Sequence, residues 1–277
     1  MKKNIKVIIA YILSIILTGL IFIVPFYFAV INSFKSQGEA MLLQVSLPTS
    51  YHIIENYKEV IRANNGIIVR AFLNSSILVI FSVIGGVIVS SMAGFVLQRR
   101  KHKFVGLWNF IILFGLIVPV ALVPTIWLLQ ILDIYKTFLS MILIEITLTM
   151  PFSVLLYKGF MKTIPREIDE AAILDGCGQL RLFFQVIFPL LKPITITVIV
   201  LNLLTIYNDF MNPLYFFPGA KNVTVQVTLY NYIGEYYNQW NLLFANVILI
   251  SIPPLILFIF LNKKIVSGMV AGGVKDI

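Results

Sequence analysis

Charge is what this sequence has least of. Only 12% of its 277 residues are Asp, Glu, Lys or Arg, where a soluble globular domain carries about 25%. That deficit, together with long uncharged runs, excludes an ordinary solvated domain and puts the chain in a bilayer. A single cysteine, Cys177, excludes an intrachain disulfide. The two histidines, His52 and His102, stand far apart with no ligand spacing around either, which argues against a metal centre. No Gly-x-x-x-x-Gly-Lys-Ser/Thr loop is present to cradle nucleotide phosphates. No Gly-x-Ser-x-Gly turn offers a nucleophile.

What the sequence has in abundance is apolar surface: 59% of residues are hydrophobic and the mean hydropathy is +0.95. Six runs stand out, over 7–31, 71–97, 104–132, 137–157, 194–212 and 242–261. Each reaches the roughly 20 residues that a helix needs to cross the hydrocarbon core. They must be helical, because lipid offers the backbone no partner outside the segment. The expected fold is an all-α membrane protein, one domain over 1–277 with six transmembrane helices. Met1-Lys2-Lys3 before an apolar run imitates a secretory signal. The first run, however, holds 25 uncharged residues, against about 7–15 in a signal core, and no small-x-small cleavage site follows. It reads as a retained span.

The basic residues orient the spans. Lys and Arg number 15 on the N-terminus, 98–103, 158–193 and the C-terminus, and 6 on the opposite connections. This excess places both termini in the cytoplasm. It accounts for the net charge of +9 without nucleic acid as a partner.

The cytoplasmic connection 158–193 is too long to be a turn. Pro165 suits a helix start, where its missing N–H is not needed. Glu167, Asp169 and Glu170 follow where acids favour the positive end of the helix dipole. Gly176 suits the left-handed position just past a helix end. A short helix is expected over about 165–175, with Ile168, Ala171, Ala172 and Asp175 on one shallow face. A second amphipathic helix is expected over 179–188, ending near Pro189.

The run Glu170-Ala171-Ala172-x-x-x-Gly176, then nine residues and Val186-x-Phe188-Pro189, resembles the EAA loop of ABC-importer permeases. That pattern ends in Ile-x-Leu-Pro in the family; Val and Phe are apolar replacements. Further short matches resemble the carbohydrate branch, especially the smaller permease of maltose-type importers. They are Asn32-Ser33-Phe34-Lys35, Asn56-Tyr57, Asn208-Asp209-Phe210 with Pro213-Leu214, and Gly272-Gly273-Val274-Lys275. Tyr207 stands where the family often has Trp.

The resemblance covers nearly the whole chain. It implies a non-catalytic permease subunit of the bacterial plasma membrane, forming half of a translocation path for a sugar or oligosaccharide. Glu170, Ala171, Ala172, Asp175 and Gly176 would then form the coupling helix that docks on a cytoplasmic ATPase. The implied partners are a second similar permease, two ATPase subunits and an extracellular solute-binding protein. ATP and magnesium would belong to the ATPases, and this chain would need no cofactor of its own.

Ionisable residues inside a membrane are costly and default to functional candidates. Asp209 forms a stripe with Asn202, Thr205 and Asn212 along the fifth span, which either lines the translocation path or bonds neighbouring helices and caps the span. Glu145 in the fourth span, followed by Thr149 and Ser153, reads as a structural hydrogen-bonding group or a sugar contact. Ser82, Gly86, Ser90 and Gly94 recur every four residues, a close-packing face that suits a permease–permease seam. Tyr230, Tyr232, Tyr236, Tyr237 and Trp240 read as an interfacial belt. Competing readings are a permease for another solute, which would share the loop, and an ion-coupled secondary transporter working through Asp209 or Glu145. The latter predicts an inverted repeat, and none is found. A membrane enzyme would need a nucleophile or metal set that the chain lacks.

Overall fold

The computed structural model describes residues 5–100, 103–234 and 238–273. Lys2, Lys3, Lys101, His102, Tyr236, Tyr237, Val274 and Lys275 lie outside these. Among the described residues the chain is helical, apart from one isolated bridge between Ile233 and Asn238.

Four stretches are long and apolar enough to cross a bilayer: Ile9–Phe34, Ile53–Arg99, Phe138–Met161 and Trp240–Phe260. They belong to helices α1 (Ile5–Phe34), α3 (Ile53–Arg99), α6 (Phe138–Met161) and the last helix (Trp240–Gly273), with α2 (Gln37–Ala40) a single turn after α1. A fifth candidate joins Gln179–Leu190 to Lys192–Asn208 across an 80° bend at Leu191.

The expected third span, 104–132, is not one helix. It forms α4 (Val105–Phe114) and α5 (Leu122–Ile131), each about 15 Å long at 1.5 Å per residue. Pro119 lies in the intervening segment, where it supplies no N–H for a continuing helix.

The helix over 53–99 is also two helices in substance. Ala63 is extended, and Asn64, Asn65 and Gly66 are left-handed, at φ +48°, +56° and +71°. Asn and Gly are the residues that tolerate this region. The piece before this break is a short helix of its own, ahead of the expected span 71–97.

The chain divides into two compact units, residues 1–71 with 227–253 and residues 72–226 with 254–277. In the first unit the short motifs near the C-terminal end of α1 come together. Asn56 Nδ2 donates to the carbonyls of Ser33 (2.8 Å) and Lys35 (2.9 Å), and its Oδ1 accepts from Asn241 Nδ2 at 2.8 Å. Tyr57 pairs its hydroxyl with Ser33 Oγ at 3.1 Å. Lys35 is fully buried and donates to Gln44 O at 2.7 Å and Asn32 Oδ1 at 3.2 Å. Val60, Tyr232, Leu242, Leu243 and Ala245 form the apolar core beside them. Tyr232 is therefore a core residue rather than part of an interfacial belt, whereas Tyr230 is exposed.

In the second unit the stripe of small residues faces its own chain. Ser82 and Ser90 are fully buried. A Cβ on Gly86 would meet Asn202 and Thr149, and one on Gly94 would lie 2.8 Å from Tyr157 Cβ. The stripe thus seats the second predicted span on α6, not on another permease. At the start of the same expected span, Asn74 Nδ2 donates to the carbonyls of Lys221 (2.9 Å) and Val223 (2.8 Å), tying the 217–226 loop to that helix.

Candidate functional site

The loop after α6 folds as a short helix, α7 (Glu167–Leu174), preceded by Pro165 and Arg166. Glu167, Asp169 and Glu170 occupy its first turn, as the dipole favours. Its end is closed by Gly176, left-handed at φ +79°. Gly176 N–H donates to Ile173 O and Cys177 N–H to Ala172 O, both at 3.0 Å, the paired bonds that satisfy a helix's last carbonyls.

The following helix, α8 (Gln179–Leu190), contains a π-helical turn over Leu182–Ile187, a wider winding often found at functional sites. Phe183 at its heart lies 5.5 Å from Phe95, 4.9 Å from Phe184 and 5.9 Å from Phe188, ring centre to ring centre. As expected, α8 ends near Pro189, at Leu190, and α9 (Lys192–Asn208) leaves it at 80°.

α7 packs against the π turn, and this divides the expected docking face. Ala172 is buried in its own chain, while Ala171 and Asp175 are exposed and Ile168 is half-buried. Ala172 therefore does not share an outward face with Ala171. The outward surface instead carries Ile173 at 58% and Leu174 at 88% exposure, two large apolar side chains on a loop rich in charge. The sequence pattern missed them because a 3–4 spacing from Ile168 picks residues that straddle the buried and exposed sides of the helix and passes over 173 and 174.

A buried ion pair fixes this helix. Arg99, at the end of α3, places Nε 2.8 Å from Asp169 Oδ2, with the side chains 8% and 13% exposed. The contact is close but off the N–H line, and Asp169 Oδ1 has no hydrogen-bond partner. Arg99 also donates through Nη2 to Ile164 O at 2.9 Å, and Arg166 to Gln98 O at 3.3 Å. Burial raises the Asp169 carboxyl above the ordinary carboxylate value, outweighing the opposing pull of Arg99 and Arg166. The sequence reading used Arg99 only to orient the spans.

The polar residues of the spans separate in the structure. Asn202 is buried and pairs with Ser153, Nδ2 to Oγ at 3.1 Å, so it joins α9 to α6. The fifth span does not run helically to 212: α9 stops at Asn208, and Asp209 is extended at ψ 127°. Asp209 Oδ1 accepts from Asn212 N–H at 3.2 Å and Oδ2 from Asn212 Nδ2 at 2.6 Å. This caps α10 (Met211–Phe216). The unbroken stripe expected over Asn202, Thr205, Asp209 and Asn212 is therefore interrupted. Thr205 is exposed, and Asp209 and Asn212 are half-buried. Glu145 is 2% exposed, and its carboxyl lies against that of Asp209.

Several long apolar helices, broken ones among them, with a short helix on a connecting loop that exposes two large apolar side chains, define a polytopic membrane protein. Residues 86–270 match the model of the binding-protein-dependent transport system inner membrane component, and the chain belongs to that family. It is 32% identical over 267 residues to the "Probable starch degradation products transport system permease protein AmyC" of Thermoanaerobacterium thermosulfurigenes, covering 94% of each chain. It is 32% identical over 256 residues to the "Melibiose/raffinose/stachyose import permease protein MelC" of Bacillus subtilis, covering 91% of each. A bacterial ABC transporter "involved in the import of the acidic polysaccharide alginate" shares the fold, with TM-score 0.79 at 18% identity over 95% of this chain and 98% of that one. The chain is thus an ABC-transporter permease and a membrane protein.

Proposed function

We propose that this chain forms half of the membrane path of an ATP-driven sugar importer and couples to a separate ATPase through α7. The observation that carries the coupling is the outward pair Ile173 and Leu174 beside Ala171, on a helix anchored from behind by Arg99. Large apolar side chains exposed on a charged loop are the kind of patch that a partner covers. The sugar assignment rests on the named substrates of the relatives, which are starch products and the melibiose–raffinose–stachyose series.

The chain crosses the membrane six times with both termini inside, as the basic asymmetry directs, and the third crossing is made by the broken pair α4–α5. A second permease completes the path, two ATPase subunits bind ATP and magnesium, and an extracellular solute-binding protein delivers the sugar. Exposed Thr205 and half-buried Asp209 and Asn212 are the part of the polar stripe free to face the path. Asn202, bonded to Ser153, and buried Glu145 hold the bundle together.

Uptake into proteoliposomes tests this reading, with starch-derived oligosaccharides and raffinose as probes. The chain alone should neither hydrolyse ATP nor move sugar. With its ATPase, second permease and binding protein it should take up one of these sugars only when ATP is supplied. Saturable, gradient-driven uptake by the lone chain would favour a secondary transporter.

A further inference from the structure

We infer that Arg99 is a positioning residue for the coupling helix, so that α7 follows the inner end of the second predicted span as well as the helices that flank it in sequence. The inference deepens the coupling reading above and rests on it.

Three bonds join the two elements. Arg99 Nε faces Asp169 Oδ2 at 2.8 Å, Arg99 Nη2 donates to Ile164 O at 2.9 Å, and Arg166 returns a bond to Gln98 O at 3.3 Å. One guanidinium thus holds both the chain entering α7 and the first turn of α7. A planar fork can bridge two acceptors in this way, whereas a lysine ammonium acts as a single point of charge.

A nearly buried cation would be costly without such partners. Its retention here, with the helix face against it closed by Ala172, makes α7 a lever fixed to α3. Beside the contact opens a surface cavity of about 400 Å³, lined by Phe95, Arg99, Asp169, Ile173, Cys177 and Leu182 among others. Polar contacts from Arg99 and Arg166 therefore hold this edge of α7, while buried Ala172 sits where the helix packs against the π turn.

The cavity wall supplies its own reporter. Cys177 is the only cysteine of the chain and is half-buried there. Its alkylation rate by a maleimide, measured on the purified full chain in nanodiscs, reads how firmly α7 is held. R99A should speed labelling by about tenfold, because a stranded carboxylate draws the helix toward water. R99K should fall between R99A and wild type. The double variant R99A/D169N should recover part of the loss, since it removes the stranded charge. R181A, on the exposed start of α8, should leave the rate unchanged.

In the assembled importer, R99A should lower sugar moved per ATP hydrolysed while the ATPase remains bound and active. Should R99A be too unstable to purify, R99K and the double variant carry the same comparison. Cys177 labelling in R99A and R99K within about twofold of wild type, or unchanged transport per ATP, would overturn the assignment. Failure of the ATPase-docking reading would look different: L174R would leave ATPase binding and transport intact while the Cys177 rates still separated.

Discussion

Arg99 Nε sits 2.8 Å from Asp169 Oδ2, bridging the C-terminal end of α3 and the first turn of α7 with both side chains nearly buried. The pair is asymmetric in what its loss costs. Removing Arg99 strands a carboxylate that burial already disfavours, whereas Asp169→Asn removes the disfavoured charge and still leaves Arg99 the amide oxygen and the Ile164 carbonyl as acceptors.

The first prediction follows from that asymmetry and has a pH signature. The folded chain holds the Asp169 proton more tightly than the unfolded chain, because burial raises the carboxyl above its ordinary 3.8. This contribution is fully present below the ordinary value and is lost as pH rises through the raised one. Thermal unfolding of the purified chain should show wild type gaining stability relative to Asp169→Asn as pH falls across that window. At neutral pH Asp169→Asn should be at least as stable as wild type, and Arg99→Ala clearly less stable. Equal melting points for all three would mean that the contact contributes nothing.

Packing on α6 gives the second. A side chain at Gly94 meets Tyr157 Cβ at 2.8 Å and the Lys158 backbone nitrogen at 3.3 Å, while nothing lies within 4 Å of one at Gly38. Gly94→Val should cost about 1–3 kcal/mol, the usual cost of overpacking, and Gly38→Val far less. Chemical denaturation in detergent measures the difference.

Much of the architecture was legible in the sequence because its physics is local. Long uncharged runs marked the spans. A helix start rich in acid and a left-handed Gly176 marked α7. What stayed hidden depends on pairings between distant residues or on breaks inside apolar sequence. Pro119 lies within an uninterrupted hydrophobic run, so hydropathy reads straight through the gap between α4 and α5. Asp209 looks like one step of a helical stripe until its carboxyl is seen capping the next helix. Ala171 and Ala172 are chemically identical, and only the π turn packed behind them decides which one faces out.

The third prediction concerns the polar network at the C-terminal end of α1. Asn56 satisfies the Ser33 and Lys35 carbonyls and Asn241 Nδ2 from one buried position. Asn56→Leu leaves all three without that partner, at about 1 kcal/mol or more for each. Hydrogen exchange should quicken at the C-terminal end of α1 and in the first turns of α3, while α6 remains protected. Unchanged exchange there would show that the network is dispensable.

Asp209 supports the fourth. Asp209→Asn keeps an acceptor for the Asn212 backbone N–H, so α10 should stay capped and the protein should accumulate in the membrane. If the carboxylate faces the path, sugar uptake or affinity should change while the complex still assembles and hydrolyses ATP. Failure to accumulate would instead make Asp209 a structural residue.

The central claim is that α7 is the docking element, and Leu174→Arg tests it most directly. Leu174 is 88% exposed, so an arginine there disturbs no internal packing and leaves the inward Ala172 untouched. Interface energy concentrates in a few central residues, and a charge on this apolar patch should lower ATPase retention on the purified complex by about tenfold or more. The variant should insert in the membrane at wild-type levels, lose its ATPase during purification and lose transport. Wild-type retention together with wild-type uptake would contradict the assignment of α7 as the coupling helix.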